Sequence, residues 1–183
     1  MEASTPRYLH NMTPAKRTVA AVLAAGALLA LPTSVSAAVR QSFRALAQSP
    51  ELWATVDLCN TPAHPHTIGI RGSMPTDGHP HDTMYMRFLV QSLDATTHQW
   101  TDLGESADSG FVLIGSGPST RQAGRTFEFK PTTTAYTLRG VVEFQWRRAG
   151  RLVHLASHAT TAGHTSLAGA EPKGFSSATC TLS

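Results

Sequence analysis

The stretch Tyr136 to Arg147 is the feature that most constrains what this chain can fold into. Read with a period of two, Tyr136, Leu138, Gly140, Val142, Phe144 and Trp146 fall on one side, and Thr137, Arg139, Val141, Glu143, Gln145 and Arg147 on the other. Twelve residues of that alternation predict a long antiparallel strand with one face in a core and one in water. The segments around it read in the same way. Leu52–Cys59 is a strand with both sides partly buried, and Thr67–Met74 is a short strand in which Gly69 and Gly72 mark a bulge or a close backbone approach. Met84–Leu93 alternates Met84, Met86, Phe88 and Val90 against polar neighbours, which places these methionines in a core rather than around a soft metal. Gln99–Leu103 returns as its hairpin partner.

Phe111–Ile114, Arg125–Lys130, Leu152–Thr160 and a short segment over Ala178–Leu182 complete a series of eight or nine strands. Turn signals separate them, among them Arg148-Ala149-Gly150, and helical periodicity is almost absent. The expectation is an all-β chain: a two-sheet antiparallel sandwich around one core, over residues 51–183. Residues 38–50 read as a linker or a short helix.

The N-terminal 37 residues read as a delivery signal. Lys16-Arg17 precedes an uncharged apolar run from Val19 to Leu31, Pro32 breaks it, and Val35-Ser36-Ala37 offers the small residues that a signal peptidase requires. The run is shorter than the ~20 residues of a membrane span, so cleavage is expected near Ala37 and the mature chain is expected outside the cytoplasm, without a membrane anchor. Removing the segment takes away Arg7, Lys16, Arg17 and Glu2, so that 15 basic against 12 acidic residues become 12 against 11, a net charge of +1. The basic balance therefore belongs mostly to the signal and gives no reason to expect nucleic-acid binding. In an exported chain the two cysteines, Cys59 and Cys180, are expected to form one disulfide that clamps the first strand to the last.

The segment from Phe127 through Pro131 to Leu138 resembles the E–F corner of fibronectin type III and other immunoglobulin-like sandwiches. The resemblance implies a tyrosine corner at Tyr136, a C–C′ hairpin over Met84–Leu103 and an F–G hairpin over Tyr136–Thr160; Trp146, on the inward side of the alternation, is expected to have a structural role. The disulfide, joining chain ends, departs from the inter-sheet bond of antibody domains. The strings Ile68 to Pro75, Met84 to Phe88 and Leu138 to Val142 are also similar to secreted actinobacterial proteins, a likeness that brings no activity with it.

Histidines are the sharpest candidates for chemistry. His64-Pro65-His66 and His79-Pro80-His81-Asp82 are near-identical loop strings, and His154 and His158 share one face of a strand. Imidazoles with a carboxylate suit zinc or copper. The two loops, however, flank the same strand and should emerge at its opposite ends, which argues against one shared site. Ser73 and Ser116 lack the strand-to-helix elbow of a catalytic serine, so a hydrolase is the weakest reading. Arg147, Arg148 and Arg151 cluster at a hairpin beside Trp146. The leading expectation is a binding or structural module with no cofactor, meeting an extracellular or cell-surface protein partner through its loops and this hairpin. A zinc- or copper-binding protein using His64, His66, His79, His81 and Asp82 is the alternative.

Overall fold

The computed structural model describes residues 44–164 and 169–183. The signal segment over 1–37 and the first residues of the linker lie outside them. Residues 44–47 form a single helical turn, and no helix among the described residues is long and apolar enough to cross a membrane.

Nine strands follow: β1 (Trp53–Cys59), β2 (Thr67–Met74), β3 (Thr83–Leu93), β4 (Trp100–Asp102), β5 (Asp108–Ser116), β6 (Arg121–Glu128), β7 (Tyr136–Arg148), β8 (Arg151–Ala159) and β9 (Cys180–Leu182). They build two antiparallel sheets. Sheet A has the order β1-β2-β6; sheet B has the order β4-β3-β7-β8, with β5 also on β3 and β9 also on β7. Sheet B is laid out around the long strand that the alternation predicts. Leu138, Val142, Phe144 and Trp146 of β7 are fully buried, as are Met84, Met86, Phe88 and Val90 of β3 across the register from Thr83↔Arg147 to Ser92↔Leu138. Ile68, Ile70, Met74 and Val56 of sheet A close the core from the other side. Burying that many large apolar side chains is the main favourable term for a fold of this size.

Both glycines of β2 have a visible cause. Opposite Gly69, the pairing of β1 slips between Val56 and Leu58, leaving Asp57 as the extra residue of a bulge. A Cβ on Gly69 would stand 2.7 Å from Asp57 Oδ1. The bulge turns the Asp57 carboxylate to Arg71, whose Nε donates to it at 2.7 Å. Gly72 lies at a close approach of the two sheets: a Cβ there would sit 3.1 Å from both Met86 Sδ and Val142 Cγ1.

Cys59 and Cys180 are bonded, with a Cα–Cα distance of 5.4 Å and a sequence separation of 121. Sequence reading contrasts this clamp with an inter-sheet bond, and the topology corrects that contrast. β1 belongs to sheet A and β9 to sheet B, so the bond ties the two sheets together as well as the chain ends. At Tyr136 the ring packs against the core and burial pushes the phenol pKa up. Its hydroxyl makes no hydrogen bond among the described residues, so the corner contact implied by the fibronectin resemblance is not made here.

Burial also lowers the pKa of His158 and His164. His158 meets Phe144 edge-on, and His164 stacks on Trp53 at 4.3 Å. In the unfolded chain both imidazoles titrate near ~6.5, so below that pH the unfolded state binds the extra protons. Stability is therefore expected to fall as pH drops from about 6.5 toward 5. His158→Gln should flatten that slope in urea-denaturation curves collected at several pH values; an unchanged slope would show that His158 is not its source.

Candidate functional site

Two surfaces concentrate polar chemistry and exposed apolar area, and both grow from the period of two in β7 and β8.

The first is the loop between β2 and β3, Pro75 to Asp82. Trp146 lies on the inward parity of β7, and its Nε1 donates to Pro75 O at 2.9 Å in a buried contact that anchors the start of this loop. The loop then folds on itself. His79 N donates to Asp77 Oδ1 at 3.0 Å, and Asp82 N donates to His79 O at 3.0 Å. Arg148, one inward step beyond Trp146, reaches down to Asp82: its Nε donates to Oδ1 at 2.9 Å and its Nη2 to Oδ2 at 2.8 Å. This two-pronged hydrogen bond is the main reason the Asp82 carboxyl titrates below its ordinary range, against the opposing effect of burial, and Arg148 is held charged in turn.

Asp77 is the centre of this group. Its side chain is 2% exposed, and its Oδ2 is buried without a hydrogen-bond partner. Around that oxygen stand His79 Nδ1 at 3.6 Å, Arg148 Nη2 at 3.9 Å and His154 Nε2 at 4.0 Å. A bulge delivers His154. The register between β7 and β8 slips at Trp146/Arg147, so His154 pairs with Trp146 and Leu152 with Arg147, with Val153 as the extra residue. Without the slip, His154 and Leu152 would share a face; with it, His154 turns inward to Asp77 and Leu152 outward. Asp77, His79 and His154 line a cleft of about 400 Å³ beside the helical turn at Ala45 and Leu46. Asp77, His79 and Asp82 each offer one ligand atom, all within 4.8 Å of one another.

The second surface is the outward face of sheet B. Register places Leu113, Tyr85, Gln145 and Leu155 in one row across β5, β3, β7 and β8. Leu113 is 56% and Leu155 47% exposed. In the neighbouring rows Arg87 is forked onto Asp108 and bonded to Glu143, and Arg147 lies 4.3 Å over the Tyr85 ring and 5.5 Å from Phe111. At the far end Arg139 covers Trp100 at 4.4 Å. These cation–π contacts and ion pairs hold the guanidinium groups flat on the sheet.

The residues singled out from the sequence are thus redistributed. His79 and Asp82 come together, joined by Asp77, which a loop rich in Gly, Pro and His gave no reason to choose. His81 is exposed and outside the group. His64 and His66 belong to the loop at the other end of β2, ~26 Å away for an eight-residue strand. There His64 Nε2 lies 3.3 Å from Glu171, whose other oxygen accepts from Thr61, and His66 N donates to Asn60. The arginine cluster divides: Arg147 faces outward, Arg148 inward, and Arg151 is exposed beside the turn at Ala149 and Gly150, both at positive φ. Ser73 is 1% exposed within β2, closed to any substrate.

The fold and its clamp define a two-sheet, all-β sandwich with one inter-sheet disulfide. No protein-family model matches the chain, and no curated protein does. Among solved structures, the Pseudomonas fluorescens alkylpurine DNA glycosylase AlkC bound to DNA containing an abasic site analog is similar over 68% of this chain and 36% of that one, at 16% identity and a TM-score of 0.26. A likeness at that level carries no argument about fold or activity.

Proposed function

We propose that the chain is an exported, disulfide-clamped module of immunoglobulin-like type that binds an extracellular protein partner through the outward face of sheet B. The observation that carries this reading is the row Leu113–Tyr85–Gln145–Leu155 with Arg147 laid on Tyr85. Apolar side chains half in solvent, aromatic rings and ordered arginines are the composition of protein interfaces. On a four-strand platform they are preorganised, so little side-chain entropy is lost on contact. The order β1-β2-β6 against β4-β3-β7-β8 supports the immunoglobulin-like part of the proposal, since it equates to A-B-E against C′-C-F-G. A stabilising disulfide and the apolar N-terminal segment ending in Val35-Ser36-Ala37 support export.

The test is site-specific photocrosslinking in cells that export the protein, with a crosslinking residue at Leu113 and, as a control, at Glu128 on sheet A. A discrete adduct with another protein from position 113 and none from 128 is expected, and Leu155→Glu should abolish it without changing the melting temperature. An adduct of twice the chain mass would assign the face to a second copy instead. Equal labelling from both positions, or none, would overturn the proposal.

A further inference from the structure

We propose that the Pro75–Asp82 loop is a binding site for a divalent transition-metal ion of the zinc type, with Asp77 Oδ2, His79 Nδ1 and one oxygen of Asp82 as ligands and His154 placed to close the set. This site is separate from the outward face of sheet B and does not depend on it.

The central observation is the Asp77 carboxylate. A buried acceptor oxygen that makes no hydrogen bond keeps the full cost of leaving water, a larger one when it is charged, so such an oxygen calls for a partner. Asp77 Oδ2 is that oxygen, on a side chain 98% removed from solvent. Two imidazole nitrogens stand just beyond hydrogen-bonding range of it, His79 Nδ1 at 3.6 Å and His154 Nε2 at 4.0 Å, while the charged Arg148 Nη2 lies at 3.9 Å. The two imidazole separations suit an ion between the groups better than a direct contact. Zinc bonds imidazole and carboxylate at ~2.0–2.2 Å, which puts neighbouring corners of its tetrahedron ~3.3–3.5 Å apart. The Asp77–His79 distance needs to close by only a few tenths of an ångström, and that to His154 by about half an ångström.

Three further features fit. Zinc takes borderline nitrogen and oxygen donors, and two carboxylates with two imidazoles are such a set. The loop is held before any ion arrives, by Trp146 at Pro75, by His79 N donating to Asp77 Oδ1 and by Asp82 N donating to His79 O. The cleft of about 400 Å³ opens onto Asp77, His79 and His154 and supplies an entry path. Arg148 is the remaining participant. Its guanidinium neutralises Asp82, and its side chain is 49% exposed, so it can swing into solvent and leave the carboxylate to a cation. Arg148 is thereby a competitor of the metal rather than a ligand, which yields a signature that a purely structural ion pair would not give.

The experiment is calorimetric titration of the oxidised, chelator-treated chain with zinc chloride, repeated with cobalt chloride for its visible absorption. One ion per chain with saturation is expected, together with the intense cobalt bands of a tetrahedral site. His79→Ala, at a side chain 57% exposed and so harmless to folding, should weaken binding at least ~10-fold, a loss that even outer-shell partners of a metal produce. Asp77→Asn should do the same, and if that variant fails to fold, His79→Ala decides. The double variant His64→Ala/His66→Ala should bind as the wild type does, and Arg148→Ala should bind more tightly. Absence of saturable uptake by the wild type, or unchanged affinity in His79→Ala, overturns the proposal.

Discussion

Replacing Cys59 and Cys180 together by alanine is expected to lower stability by about 4–5 kcal/mol. The bond closes a loop of 121 positions, and in the chain-entropy account the stabilisation grows with the logarithm of that length. Its location adds to the expectation. Cys180 is buried, and β9 is only three residues long, too short to hold its place by pairing with Tyr136–Leu138 alone. Without the bond, β9 should detach and expose Leu182 and the flank of β7. The measurement is equilibrium guanidinium denaturation of the oxidised wild type against the double variant, with hydrogen exchange at β9. A loss below about 1 kcal/mol would mean that the unfolded chain is already confined by other contacts.

Trp146→Ala is expected to cost about 3–5 kcal/mol, the range for removing a large aromatic side chain from a packed core. Trp146 is fully buried at the end of β7, meets His154 edge-on at 6.3 Å and donates to Pro75 O. Truncation therefore leaves a cavity and a buried carbonyl without its donor. Trp146→Phe separates the two contributions, since it keeps most of the packing and loses only the donor, a deficit of about 1–3 kcal/mol. Both variants should also free the Pro75–Asp82 loop. Amide exchange at His79 and Asp82 is therefore expected to rise more than exchange in β1 or β2. If unfolding is weakened while exchange in the loop stays slow, Trp146 is a core residue only and does not organise the loop.

A sandwich held by one disulfide is compatible with an oxidising compartment, and the two proposed surfaces are built differently. The outward face of sheet B is regular along β3 and β7, where the side chains follow from strand parity. The loop site is irregular, and depends on a bulge at Val153, a buried tryptophan and a turn that buries Asp77. Regular faces suit broad contact with another macromolecule, and irregular corners suit the convergence of a few donors on one ion.

Strand parity is what the chain carries openly. The alternation of Met84–Val90 and Leu138–Trp146 determined which side chains enter the core, because successive residues of a strand must point to opposite faces. The two glycines of β2 likewise announced a bulge and a close approach, and two cysteines behind an expected export signal announced their bond. Parity even contained the division of Arg147 from Arg148, though their adjacency in sequence suggested a cluster. Other features had no local signal. Phe111 to Ile114 reads as any apolar strand, and only its pairing with β3, which sets Leu113 beside the outward Tyr85, leaves Leu113 in solvent. Asp77 is one acid in a polar loop, and its burial comes from Trp146, 69 positions later, fastening Pro75 to the core. His64 and His79 stand in near-identical strings, yet one meets Glu171 and the other Asp77. The strands, their buried faces and the disulfide follow from local periodicity and chemistry, and so can be read along the chain. Which sheet each strand joins and which polar groups converge depend on contacts between residues far apart in the chain, and so emerge with the fold.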